Sequence, residues 1–114
     1  MTKRVMTIGL FFLASLAGGT VARAQAAQGD DGKAVYNQFC IQCHGVRGTP
    51  PKAMKSAFPQ LPVFDAAFLG SHPEDMVVKV IGTGKNMMQP FKDKLTVAQI
   101  AAVAKYLRGL ASGT

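Results

Sequence analysis

A chain of 114 residues, 48% of them apolar, fits a single domain. Its formal charge of +7 comes from basic residues scattered along the sequence, with no dense basic run and no interleaved aromatics to stack bases, which argues against a nucleic-acid partner. It has no tryptophan and 2 cysteines, too few for a disulfide-built scaffold.

The N-terminal segment reads as separate from the domain. Lys3 and Arg4 precede an apolar run from Val5 to Leu16, and Ala22-Arg23-Ala24 follows. A basic start, a short apolar stretch and a small-residue site form the pattern of an export signal. The run is too short for a comfortable membrane span. Cleavage is expected after Ala24, and Ala24-Gln25-Ala26 offers a second site after Ala26. Residues 1–24 are therefore read as a leader and 25–114 as the folded domain; a retained N-terminal anchor is the rival reading. Removing Lys3, Arg4 and Arg23 from the 13 basic residues, against 6 acidic ones, leaves a net charge of +4. A domain this small buries a modest share of its surface, so a large apolar group at its centre would help it fold.

Asp30 or Asp31 is expected to cap a first helix. From there Gly32, Val35, Tyr36, Phe39 and Cys40 fall on one face of a helix running to about Cys43. Residues 45–62, rich in glycine and proline, read as loop, with a short turn over 52–57. Ala66 to Leu69 is expected to make another turn, ended by Gly70. Ser71-His72-Pro73-Glu74 has the form of a capping box, with Met76, Val77, Val80 and Ile81 on the buried face of the helix it opens. Gly82 and Gly84 stop that helix, and a second loop reaches Lys94. Thr96 and Gln99 form a further capping box. It opens a last helix with a stripe of Ile100, Ala101, Val103, Ala104, Leu107 and Leu110, and Arg108 near its end suits the helix dipole. No segment alternates as a strand does. The fold class is all-α, and its long loops call for a functional reason.

Cys40-Ile41-Gln42-Cys43-His44 supplies one. This is the attachment pattern for c-type haem. On a helical end the two thiols lie on one face, within reach of two haem vinyl groups, and His44 is carried to the same side to bind iron. Three rivals fail. A disulfide across so small a loop stabilises little. Zinc needs a second pair of ligands, and His72 is the only other histidine. A redox dithiol needs a βαβ setting that is not visible.

With these residues in view, the chain resembles the small bacterial monohaem class I cytochromes c over essentially its whole mature length. Gly32 and Tyr36 before the motif, Tyr106 on the last helix, Phe58-Pro59-Gln60-Leu61, and Met88-Gln89-Pro90-Phe91 followed by Leu95-Thr96 and Ile100 carry the resemblance. It implies a fold of three to five helices around one haem c with its iron. It also implies a close crossing of first and last helices at Gly32, and a methionine opposite His44. By the family's spacing of methionine to phenylalanine, Met88 is the expected ligand. Gln89 stands where proline is common, which keeps Met87 as the alternative. Met54 lies too near the attachment site, Met76 is expected in the core, and His72 is expected at the surface or in a cap. A metal-bound histidine usually donates its other ring N–H to an acceptor. The family uses a proline carbonyl, for which Pro50, Pro51 and Pro59 are open choices.

The expected function is a periplasmic electron carrier cycling haem iron between Fe(II) and Fe(III). No acid–base pair or nucleophile constellation points to an enzyme. Partners would be redox proteins, a dehydrogenase or reductase as donor and an oxidase or another cytochrome as acceptor, with acidic surfaces as the contact that a weak positive field would steer. The mature protein would be a monomer that does not span a membrane. A haem sensor with an open sixth position and a cytochrome subunit held on a dehydrogenase are the other readings.

Overall fold

The computed structural model describes residues 31–113. The expected leader and its cleavage sites lie outside these residues, as does Asp30. Six helices follow in chain order among the described residues: α1 Gly32–Phe39, α2 Ile41–His44, α3 Lys52–Ala57, α4 Ala66–Ser71, α5 Glu74–Thr83 and α6 Val97–Ser112.

Asp31 caps α1, its side chain accepting from the amides of Lys33 (2.9 Å) and Ala34 (3.3 Å). Gly32, Val35 and Tyr36 form its buried face. The expected single helix to Cys43 is broken once, at Cys40, whose φ of −114° widens the turn. Helical bonding nonetheless bridges the break: the Cys40 amide donates to Tyr36 and the His44 amide to Cys40, each at 2.9 Å. The cysteine thus turns out of the α1 axis without losing its backbone partners.

α1 crosses α6 closely. A Cβ on Gly32 would overlap the carbonyl of Ala102, so only glycine fits. Tyr36 is fully buried beside Tyr106, with ring centroids 5.4 Å apart and planes at 55°. This is the crossing that the resemblance implied. Val103, Ala104 and Leu107 of α6 complete the core with Val35, Ile81, Leu95 and Ile100. Ala101, expected in that stripe, faces solvent. The Thr96–Gln99 capping box forms in full, with bonds of 3.1 and 2.9 Å.

The other expected capping box does not form. Ser71 ends α4, its hydroxyl donating back to Phe68 (2.9 Å) and Ala67 (3.2 Å), and Pro73 takes the cap position of α5 without a side-chain bond. Gly70 does not stop α4, and Glu74 turns toward Arg108 at 3.6 Å. The guanidinium of Arg108 also donates to the carbonyls of Leu69 (2.9 Å) and His72 (2.6 Å). A contact from the distant last helix thus satisfies the α4–α5 junction, and the local signal is overridden.

Candidate haem site

All six helices and the two long loops contribute residues to a cavity of about 680 Å³, within the range of cofactor pockets. Its wall is largely apolar, and Cys40, Cys43, His44 and Met88 all border it. Met54, Met76 and Met87 border it as well. Met76, expected in the core, is 46% exposed, because α5 turns that part of its face to the cavity mouth.

On one wall, α2 carries the cysteine-histidine motif. Cys40 is half-buried, Cys43 is exposed, and no disulfide joins them. Burial, and then the neighbouring Cys43, push the Cys40 thiol up to about 11. A dithiol redox centre works through a lowered thiol pKa, so this pair lacks the electrostatics of one. His44 is buried, at 8% exposure, and burial lowers its pKa below the ordinary imidazole value. The ring is therefore held neutral, the state that binds metals. Nδ1 is buried without a hydrogen-bond partner. None of Pro50, Pro51 and Pro59 accepts from it, contrary to the expectation. Instead the ring stacks on Phe64, with centroids 4.7 Å apart and planes at 24°. The Tyr36 hydroxyl donates to the Gly45 carbonyl at 2.6 Å, tying the end of α2 back to α1.

On the other wall, the loop after α5 makes a tight turn. Lys85 and Met88 exchange backbone bonds of 3.1 and 3.0 Å, and Asn86 within the turn has φ 54°. Phe91 and Lys92 donate to Ile81 and Gly82 at 3.0 and 3.1 Å, fastening the loop to the end of α5. Met88 is half-buried and packs against the core, whereas Met87 is 75% exposed.

His72 is in a cap, as expected, but at the C-terminal end of α4 and not at the start of α5. It is half-buried on the cavity wall, stacked on Phe68 at 4.0 Å and 20°, with Nδ1 2.7 Å from the Phe68 carbonyl. Phe64 and Phe68 were not foreseen as site residues. Their signal in the sequence is the four-residue spacing Phe64, Phe68, His72. Among the described residues, no three His, Cys, Asp or Glu side chains gather as a metal site, and no helix is long and apolar enough to cross a membrane.

An apolar cavity bordered by two thiols, a neutral imidazole and thioethers suits an iron porphyrin that is bonded at its edge and ligated on its faces. With an all-helical shell around it, that cavity marks a small class I cytochrome c with a single haem. A family model described as "Cytochrome C oxidase, cbb3-type, subunit III" matches residues 27–107. Cytochrome c6 of Nostoc sp. (strain PCC 7120) is 27% identical over 109 residues, spanning 96% of this chain and 95% of that protein. Among solved structures, the KustC0563 c-type cytochrome aligns with a TM-score of 0.64 and 33% identity, over 70% of this chain and 96% of the other. A point mutant of the same cytochrome gives 0.63 and 32%, over 70% and 98%. The chain belongs to the cytochrome c family, in the branch that the cbb3-type model describes, and its cofactor is a covalently bound haem c with its iron.

Proposed function

We propose that this protein is an exported, periplasmic electron carrier whose haem is attached at Cys40 and Cys43, with His44 and Met88 as the axial ligands. Haem in such a setting supplies one-electron exchange between Fe(II) and Fe(III). The observation that carries the reading is the pairing of a buried, neutral His44 with a half-buried Met88 on one apolar cavity. Nδ1 of His44 is enclosed by protein, which leaves Nε2 as the nitrogen for the metal. The thioether adds a soft, uncharged ligand that raises the potential relative to a second histidine. Met88 is favoured over Met87 because its backbone is fixed by two bonds to Lys85 and its side chain already packs against the core. Residues 1–24 would direct export and be removed.

A spectrum of the purified, haem-loaded protein tests this. The ferric form of the wild type should show the weak long-wavelength band of methionine ligation. Met88→Ala should abolish it and Met87→Ala should leave it. Rapid carbon monoxide binding by the untouched ferrous protein would show an open sixth position and overturn the carrier reading.

The matching family model is described by an oxidase subunit, which favours a second reading, a haem domain held on a larger complex. Against it stands the near-equal length of cytochrome c6. Size-exclusion chromatography of the native protein from its source membranes and soluble fraction separates the two readings.

A further inference from the structure

Two methionines stand side by side in the loop after α5, and they are placed unequally. Met88 is half-buried against the core, while Met87 is 75% exposed. Residues 85–88 form a tight turn. Lys85 and Met88 close it as an antiparallel pair, through backbone bonds of 3.1 and 3.0 Å, with Asn86 and Met87 at the corner. Neighbouring side chains along paired backbone point to opposite faces, so a slip of one residue exchanges the two thioethers. The register of this turn therefore decides which of them is turned inward.

The residues around the turn permit one register. Asn86 has φ 54° and is the only non-glycine residue with a positive φ among the described residues. Asparagine tolerates that left-handed conformation better than most side chains. Gly84, just before the turn, packs on the returning backbone. A Cβ there would lie 2.5 Å from the Met88 carbonyl oxygen and 2.9 Å from the Pro90 nitrogen, and its φ of 74° favours glycine as well. In the slipped register Met87 would pair with Gly84. Lys85 would then take the left-handed position, and Thr83 would take the place of Gly84, where a Cβ has no room. The bonds from the Phe91 and Lys92 amides to the Ile81 and Gly82 carbonyls hold the far side of the loop at the same offset.

We propose that Gly84 and Asn86 determine the choice of axial methionine, by locking the turn in the register that selects Met88 and keeps Met87 outside. Both are positioning residues that act through the backbone of Met88. The inference rests on Met88 as the ligand, so the experiment reads the ligand and the lock separately.

Thr83→Gly with Lys85→Asn leaves Gly84 and Asn86 in place and opens the slipped register too. Four haem-loaded proteins are compared with wild type: Met87→Ala, Met88→Ala, the triple variant Thr83→Gly/Lys85→Asn/Met88→Ala, and that triple variant with Met87→Ala added. The signals are the ferric methionine band and the upfield methionine methyl resonance of the ferrous protein. Met88→Ala should lose both signals although Met87 is intact. The triple variant should regain most of the wild-type band, and adding Met87→Ala should remove it again. Lys85→Asn/Met88→Ala, which lifts one obstacle of the two, should regain a smaller part, and it serves as the reading if the triple variant does not hold haem. Signals that stay absent from both slipped variants overturn the inference, because Met87 is then excluded by something other than register. A band in Met88→Ala itself that depends on Met87 overturns it too, because the turn then slips unaided. A wild type without methionine signals, or one that loses them on Met87→Ala, overturns the assignment of Met88, and that outcome is distinct from the other two.

Discussion

The two walls of the cavity are built by different means. The histidine wall is held by regular backbone and buried contacts: helical bonds run through Cys40 into α2, Tyr36 anchors Gly45, and His44 is enclosed against Phe64. The methionine wall is a loop fastened at a few points, with Lys85, Asn86, Met87 and Gln89 exposed around the half-buried Met88. One wall is part of the core and the other is laid over it. Substitutions behind the histidine wall should therefore cost folding stability. Those in the methionine wall should alter the ligand field while the fold survives.

The largest effect is expected at Gly32, where α1 backs the histidine wall against α6. Gly32→Val puts side-chain atoms into the Ala102 carbonyl and forces the helices apart, at a cost of about 3 kcal/mol or more by denaturant unfolding. Tyr36→Phe should come next, losing about 1.5 kcal/mol because the buried Gly45 carbonyl loses its short bond from the hydroxyl and keeps only the 3.4 Å bond from the Gly48 amide. This position also carries a pH signature. Burial holds the Tyr36 phenol well above the ordinary tyrosine range, while an unfolded tyrosine ionises near pH ~10. The unfolded state therefore binds fewer protons above that pH. The contribution is intact below ~10 and is lost as pH rises toward the folded value. Tyr36→Phe should flatten this alkaline decline in stability.

On the methionine wall, Asn86→Val should cost about 1 kcal/mol, since a β-branched residue resists a φ of 54°. Its sharper readout is weakening of the methionine band as the Lys85–Met88 turn loosens. The smallest effect should be that of Lys94→Ala, which removes an exposed 2.7 Å bond to Gln89 and should change stability by less than about 0.5 kcal/mol. If Lys94→Ala unfolds the protein as readily as Gly32→Val, the two walls are not distinct in kind.

What could be read in the sequence tracks the range of the forces involved. The Cys40–His44 motif and the Thr96–Gln99 box are local patterns with local causes; the structure sets the first on a helical end that borders the cavity and forms the second in full. The break at Cys40 and the opening of α5 were not legible in the same way. Ser71 satisfies the rules for a helix cap and for a last-turn hydroxyl alike, and the choice is made by Arg108, 36 residues away from His72 in sequence. The missing acceptor for His44 Nδ1 was equally hidden. Three prolines stand within reach in sequence, but chain proximity says nothing of where a carbonyl points. The aromatic wall beside His44 was half visible, as Phe64, Phe68 and His72 at four-residue spacing. Its meeting with His44 depends on Gly48 bringing the Phe64 backbone alongside.

The fit of Gly32 against Ala102 also governs how the chain can vary. It closes a loop of 70 residues, from position 32 to position 102, and nearly every segment bordering the cavity hangs inside that loop. The entropy of closing a loop grows only with the logarithm of its length, by roughly 0.6 kcal/mol for each doubling. Lengthening the stretches after His44 or after α5 is then a minor perturbation, provided the clasp between the first and last helices stays shut. Chains of this architecture can rebuild the surface that meets a partner by inserting or trimming loop residues, while the crossing that defines the interior is left alone.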